Sequence, residues 1–275
     1  MPSSSHPRQV VYEGRDEDGV IEVIDEAQTM RSLQFGTQAR QSTMLLTDPD
    51  ALALVYTHCL MTCLLFASRH PEAALVLGLG GGSVPKFLLR QFPKCRVEAV
   101  EKRPRIIEVA RDYFSLPDDA RLHVHLEDGL VFLNQSKPEL FDFIFVDLHD
   151  SAGMAPVVRR AEFFPACIRG LRPQGIVAIN MWYGYREREE REVRRLLKLT
   201  FDDRLLFLPV AGKRNCVVLA FRSPPTIETG QVSKRAREWQ RLTGIDFPDL
   251  AQQLCARTST ASWCRYELTR RAYRR

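Results

Sequence analysis

No Cys-x-x-Cys pair occurs in this 275-residue chain, and its seven cysteines, at 59, 63, 95, 167, 216, 255 and 264, are scattered and odd in number. That pattern supplies neither a zinc ribbon nor a disulfide framework, so no metal site is expected and the thiols read as buried groups in a reducing compartment. Long hydrophobic runs are also missing. The longest, residues 52–66, is too short to span a bilayer and carries Tyr56, Thr57 and His58. The opening Met1-Pro2-Ser3-Ser4-Ser5-His6-Pro7 is polar, without the basic and apolar stretches of a secretory signal. A cytoplasmic protein with no membrane contact is the expectation. Neither charge sign dominates: Lys and Arg number 39 against 34 Asp and Glu. Residues 225–275 hold ten basic and five acidic residues, which is the whole surplus of +5. A tail ending Arg270-Arg271-Ala272-Tyr273-Arg274-Arg275 suits nucleic acid in principle, but a solvated end is the plainer reading, and nucleic acid is not the expected partner.

What is present is an ordinary globular composition, 45% hydrophobic and 27% charged, enough for one α/β domain of about 150 residues with smaller additions. The most informative passage is Leu75-Val76-Leu77-Gly78-Leu79-Gly80-Gly81-Gly82-Ser83. An apolar strand stops at a glycine cluster, and a helical stretch, Pro85-Lys86-Phe87-Leu88-Leu89-Arg90, follows. Glycines there allow a tight turn and close ligand approach, and the helix start offers unpaired N–H groups. A second strand, Arg96-Val97-Glu98-Ala99-Val100, ends in Glu101, where a doubly wound fold places the acid that holds a ribose hydroxyl. The spacing is Gly78, Gly80, Gly82, and the third glycine of a dinucleotide fingerprint would fall at Ser83. An adenosylmethionine-type ligand, which has no pyrophosphate, fits better than NAD.

Upstream, residues 8–48 read as a small β domain. Strand-like Val10-Val11-Tyr12 and Val20-Ile21-Glu22-Val23-Ile24 flank the turn at Asp16-Glu17-Asp18-Gly19, and two shorter strands surround Gly36. Thr47-Asp48-Pro49-Asp50 has helix-start chemistry, and an apolar helix is expected from there through Leu52, Tyr56 and Leu60. From residue 73, strand and helix alternate, the signature of a parallel sheet with crossover helices. The expected strands are 74–78, 96–101, 122–127, 141–147 and 175–181, with helices at 84–91, 104–114, 129–134 and 157–171. Opposite charges four apart, Glu187 with Arg191 and Glu190 with Arg194, predict a solvated helix face. Strands 203–210 and 216–222 form a hairpin around Gly212. The whole, 49–222, reads as a seven-stranded methyltransferase-like sheet, and residues 223–275 as a basic helical extension.

Ligands of open α/β sheets lie beyond the carboxyl ends of the strands, so the acids there matter most. Glu101 ends the second strand. Asp128-Gly129 ends the third, where a carboxylate can accept from an adenine amino group and glycine leaves room for the ring. Asp147-Leu148-His149-Asp150 ends the fourth. Asp147 and Asp150, three apart on a loop, can converge on one cationic amine, hold it and take a proton from it. His149 between them suits a proton relay, although a loop histidine is more often solvated.

In these features the chain resembles the polyamine aminopropyltransferases, the spermidine synthases, over roughly residues 10–222. The likeness is carried by the small N-terminal strands, Gln41-Ser42, Tyr56 in the first long helix, the glycine loop, Val100-Glu101, Asp128-Gly129, and Asp147 with Asp150. It implies transfer of the aminopropyl group of decarboxylated S-adenosylmethionine, a co-substrate, to putrescine or a similar amine, with release of methylthioadenosine, in a homodimer. By the same likeness Asp147 activates the attacking amine, and Asp150, Gln41 and Tyr56 bind it. Gly78, Gly80, Gly82, Glu101, Asp128 and Gly129 hold the nucleoside. Departures lie on the amine side. The family's glycine loop reads Gly-Gly-Gly-Asp-Gly-Gly, and Gly81 stands at its Asp; Gly19 stands at an expected Gln, Thr57 at the usual His or Gln, and Leu208-Pro209-Val210-Ala211-Gly212 replaces Tyr-Pro-Ser-Gly. Two other readings remain: an S-adenosylmethionine-dependent methyltransferase, and a non-catalytic nucleoside- or nucleic-acid-binding protein.

Overall fold

The computed structural model describes residues 8–67, 69–150, 153–182, 187–202, 204–225 and 229–258; the Arg-rich tail 270–275 lies outside them. The chain opens with an antiparallel meander, β1 (Arg8–Asp16), β2 (Gly19–Glu26), β3 (Met30–Gln34) and β4 (Arg40–Leu45), paired in that order. Period-two alternation turns Ile21, Val23, Leu33 and Met44 inward, where they pack on Ile106, Val109 and Phe114 of the larger domain.

The following helix starts later than its sequence suggests. Instead of beginning at residues 47–50, α1 spans Val55–Leu60 and tightens into a 3-10 turn, Met61–Leu65. Asp48 is drawn to Arg90 at 2.6 Å, so it caps nothing. His58 Nε2 bonds the Leu52 carbonyl at 2.7 Å, which holds the segment before α1 out of the helix. Leu52 is still buried.

Beyond this point strands and helices alternate: β5 (Ala73–Leu77), α2 (Ser83–Gln91), β6 (Arg96–Glu101), α3 (Pro104–Tyr113), β7 (Leu122–Leu126), α4 (Gly129–Gln135) and β8 (Phe141–Val146). A two-stranded ribbon follows, β9 (His149–Asp150) with β10 (Gly153–Met154), then a 3-10 turn (Pro156–Arg159), α5 (Phe163–Gly170), β11 (Leu171–Trp182), α6 (Glu187–Phe201), β12 (Leu205–Pro209), β13 (Asn215–Phe221), α7 (Thr229–Thr243) and α8 (Phe247–Thr258). The single expected helix at 157–171 is thus two elements. Seven strands form one sheet in the order β12-β13-β11-β8-β5-β6-β7, with β13 antiparallel to both neighbours and the pairs from β11 to β7 parallel. This is the methyltransferase-like sheet the alternation predicts.

Both sheet faces are covered, so the central strands are largely apolar. Ala74 and Val76 of β5 face one core with α1, α2, α7 and α8, while Ala73, Leu75 and Leu77 face the other with α4, α5 and α6. The C-terminal helices are therefore more than a basic appendage: Val232, Ala236, Trp239, Phe247 and Leu254 are core residues. On α6 the Glu190–Arg194 pair forms at 2.8 Å, but Arg194 also lies 4.7 Å over the Phe207 ring. That face covers apolar surface as well as meeting water.

The topology reverses between β5 and β8, and their carboxyl ends meet closely. Gly78 donates its N–H to Val100 O and Asp147 donates to Leu77 O, both at 2.9 Å. Gly78 adopts φ +94°, and a Cβ there would collide with the backbone of Asp147. Gly78→Ala is accordingly expected to lower stability by at least about 2 kcal/mol, from a left-handed backbone and an overfilled corner together; urea denaturation measures it.

Behind the glycine loop, Lys86 of α2 is buried and donates its Nζ to the Phe114 carbonyl at 2.5 Å, with Met44 Sδ 3.5 Å away. Burial pushes its ammonium down to about 8, only partly opposed by the charge of Asp50. The folded protein then binds this proton less tightly than the unfolded chain does, so stability rises with pH between the two pKa values. Wild type measured against Lys86→Met should hold a constant difference below pH 8 and gain on the variant from there up to about pH 10.4, the ordinary lysine value. Paired urea melts across that range test the sign.

Candidate active site

A cavity of about 210 Å³ opens at the carboxyl ends of β5, β6, β7 and β8, the switch point where open α/β sheets bind ligands. Its wall includes Gln41, Gly78, Gly80, Glu101, Asp128, Gly129, Asp147, His149 and Asp150. Gly82 serves the turn rather than the wall: it precedes α2 at φ +72°, its N–H donates to Leu79 O, and Leu116 fills the space a side chain would take. Tyr56 reaches the site through Asp147.

Glu101 is held by the backbone on both oxygens. Oε2 accepts from Leu79 N–H at 3.1 Å and Oε1 from Arg103 N–H at 3.0 Å. Burial raises its pKa against the lowering effect of these N–H groups and of Arg103. Each oxygen keeps a further lone pair, which is what a ribose diol needs. Asp128 caps α4, with Oδ1 accepting from Leu130 N–H at 2.9 Å and Val131 N–H at 3.2 Å. Gly129 sits 3.4 Å short of Leu77 at its absent Cβ, which keeps this corner open.

Asp147 is the best-supported carboxylate of the site. Tyr56 O–H donates to Oδ2 at 2.9 Å, and Asn180 Nδ2 donates to Oδ1 at 2.8 Å. Asn180 Oδ1 in turn accepts from Asn215 Nδ2 at 2.9 Å, which fixes the amide so that its NH₂ group must face Asp147. Burial, with the charge of Asp147 adding to it, lifts the Tyr56 phenol well above its ordinary value; it stays a donor at any working pH. Asn180 and Asn215 escape sequence reading, although Asn180 interrupts the apolar second half of β11 and Asn215 opens the apolar strand β13.

His149 departs from the expectation of a solvated loop residue. Its side chain is 6% exposed, its ring lies 5.7 Å from that of Trp182, and Nδ1 is 3.2 Å from Asp147 Oδ1. Nε2 is buried without a hydrogen-bond partner. The ribbon β9–β10 explains this: His149 pairs with Met154 and Asp150 with Gly153, so Asp150 stands in a short strand just beyond Asp147 instead of on an open loop.

Both cations on the cavity wall are engaged elsewhere. Arg103 grips Asp16 with two bonds, at 2.9 and 2.8 Å, and stacks 4.5 Å over Phe35; Lys102 pairs with Asp18 at 3.0 Å. Burial opposes the charge on Asp16, yet the hydrogen bonds and charge of Arg103 outweigh it and hold that carboxyl below its usual range. Five carboxylates, Glu101, Glu127, Asp128, Asp147 and Asp150, line the same wall. The cavity is an anionic site. Among the described residues no group of three or more side chains is arranged to hold a metal ion.

Residues 53–199 match the spermine/spermidine synthase domain. A polyamine aminopropyltransferase of Chromobacterium violaceum is 34% identical over 84% of this chain and 88% of its own length. The chain belongs to the spermine/spermidine synthase family. Its fold is also that of a probable spermidine synthase from Corynebacterium glutamicum (TM-score 0.70, 19% identity, 83% of this chain and 87% of that one). Human methyltransferase-like protein 13, solved in complex with SAH, superposes with a TM-score of 0.63 at 25% identity over 70% of this chain and 93% of that one. For a member of the family, Gly81 is the telling departure. A Cβ at 81 would lie 2.7 Å from the Phe114 ring and 2.8 Å from Ser42 Oγ, so an Asp cannot be added there without moving the N-terminal sheet or Phe114.

Removing one donor from Asp147 should be felt in stability. Asn180→Leu strips Oδ1 of its amide partner and orphans Asn215; a loss of about 1.5–3 kcal/mol is expected, to be read by thermal or urea denaturation, with Tyr56→Phe as the matching deletion on Oδ2.

Proposed function

We propose that the chain transfers an aminopropyl group from decarboxylated S-adenosylmethionine to putrescine or a similar amine, releasing methylthioadenosine. The observation that carries this reading is a carboxylate, Asp147, held by Tyr56 and Asn180 on the wall of an anionic cavity whose two cations are tied to Asp16 and Asp18. Such a site favours a donor that has lost its own carboxylate over intact S-adenosylmethionine, and it favours a polycationic acceptor.

In this reading Glu101 accepts from the ribose hydroxyls, Asp128 and Gly129 border the adenine, and Gly78 and Gly80 let the nucleoside lie against the backbone, with Gly82 shaping their turn. Asp147 holds the attacking nitrogen, with Asp150, Gln41 and Tyr56 completing the acceptor pocket. An amine with a lysine-like pKa of about 10.4 is almost wholly protonated at neutral pH and has no lone pair to attack with. Carboxylates alone favour the charged form, so they serve binding first. Loss of the proton is driven where the amine is desolvated beside the sulfonium, whose positive charge repels it. The nitrogen then attacks the carbon next to sulfur, and the C–S pair leaves as the thioether. Positioning and electrostatics supply the rate. Residues 8–48 and 49–222 act in this scheme as the N-terminal and catalytic units, with 223–275 as an extension; a cytoplasmic homodimer is part of the same family-based reading, and sedimentation tests the dimer.

Mass spectrometry of products from decarboxylated S-adenosylmethionine and putrescine is the direct test. Asp147→Asn should keep methylthioadenosine binding by calorimetry and lose transfer by about 10²-fold. Asp150→Asn should chiefly raise the KM for amine. Full activity in the Asp147 variant overturns its assignment. A methylated product from intact S-adenosylmethionine, with no transfer by wild type to any of several amines, overturns the reaction itself.

A further inference from the structure

Two buried polar side-chain atoms among the described residues have no hydrogen-bond partner, Arg159 Nε and His149 Nε2. Only His149 lies on the cavity wall, beside Asp147 and Asp150. An unsatisfied buried nitrogen in an otherwise well-bonded site asks for a reason, and a ligand that completes it is one.

The surroundings settle which form the ring takes. Nδ1 stands 3.2 Å from Asp147 Oδ1. A lone pair there would oppose the carboxylate, so Nδ1 carries the hydrogen and donates it. In the neutral ring Nε2 is then an acceptor with an unshared lone pair. Among the described residues, these groups face or adjoin the ring. Asp147 comes from the end of β8 and Asp150 adjoins within β9. From β11 Trp182 covers one face, and from α1 Tyr56 reaches Asp147 with its O–H as donor. Met154, opposite in the ribbon, carries no charge. Asp147 already accepts from Tyr56 and Asn180, and a hydrogen on His149 Nδ1, 3.2 Å from Oδ1, makes a third donor for about four lone-pair sites. It has room to hold an ammonium on Oδ2 and little room to keep a proton as well.

We propose that His149 is a catalytic residue of this site, the group on which the proton of the attacking amine comes to rest. This rests on the aminopropyl-transfer reading above. One ammonium N–H bond breaks and its proton bonds to His149 Nε2. The electron pair stays on nitrogen and forms the new N–C bond as the C–S bond breaks, with its pair going to sulfur. The imidazolium that results is held by Asp147 through Nδ1–H. An imidazole ring is suited to this, because one nitrogen can take the proton while the other keeps its hydrogen toward Asp147.

The test compares wild type with His149→Gln and His149→Ala, using decarboxylated S-adenosylmethionine and putrescine, with methylthioadenosine calorimetry as the measure of an intact nucleoside site. Expected are a kcat lower by about 10²-fold, a KM for amine within a few-fold of wild type, unchanged methylthioadenosine affinity, and partial return of His149→Ala activity on adding imidazole. A merely structural histidine would give no imidazole rescue, and kcat within about three-fold of wild type in a variant that binds methylthioadenosine overturns the proposal. Should neither variant fold, ¹⁵N NMR of wild type decides: a ring bearing hydrogen on Nδ1 alone at neutral pH supports the assignment, and hydrogen on Nε2 overturns it. A wild type that transfers nothing to any amine overturns the aminopropyl reading and this proposal together, whereas an active wild type with unaffected variants overturns this proposal alone.

Discussion

The site depends on a close approach of two strand ends. Where β5 and β8 finish side by side, the backbone of Asp147 occupies the space in which residue 78 would otherwise carry a side chain. Because residue 78 is glycine, the ladder continues one residue past each strand: Gly78 to Val100 and Asp147 to Leu77. Three consequences follow from that geometry. The loop from 78 to 82 turns tightly enough for Leu79 N–H to reach Glu101. Glu101 is thereby oriented at the end of β6. And Asp147 is delivered to the same cavity from the neighbouring strand, within reach of Tyr56 and Asn180. Ligand contacts of very different chemistry are thus placed by one steric permission.

The electrostatic character of the cavity is set from outside it. Lys102 and Arg103 directly follow Glu101, and left alone they would neutralise much of the wall. The turn between the first two strands supplies Asp16 and Asp18, which take up both cations. The N-terminal sheet therefore does two things at once. Its inner face covers α3 through Ile21, Val23, Leu33 and Met44, and its hairpin tip leaves the catalytic end of the larger sheet with a surplus of negative charge. Gly81 belongs to the same contact, since the space an acid would need is taken by Ser42 and Phe114.

The order of strands and helices was legible because it rests on local signals: apolar runs such as Phe141-Asp142-Phe143-Ile144-Phe145-Val146, the glycine cluster, and Pro at the start of α3. The acids at the strand ends were legible for the same reason, since position along a parallel strand fixes which end faces the ligand. What was not legible involves partners distant in sequence. The start of α1 was misplaced because Arg90, 42 residues away, takes Asp48. His149 was read as solvated because nothing local announces that Trp182 covers it. Nothing local marks Asn180 and Asn215, and only the sheet order reveals that Asn215 orients Asn180 toward Asp147. The family likeness of the chain does not remove this limit, because none of the family features read from the sequence falls on these residues.

The Asn215 to Asn180 bond has a consequence for how the site comes into being. Asn215 stands opposite Trp182 in the β11–β13 register, and its side chain reaches diagonally to Asn180, two residues along. A slip of one residue in β13 would turn Asn215 to the other face of the sheet. A chain folded as far as β11 can already possess the glycine loop, Glu101 and Asp128, and so that part of the cavity wall. Its amide donor to Asp147 becomes oriented only when the last hairpin docks in register. Completion of the sheet and full orientation of the groups around Asp147 are then a single event, and a molecule with a misregistered C-terminal hairpin keeps the cavity but leaves that carboxylate without its fixed amide.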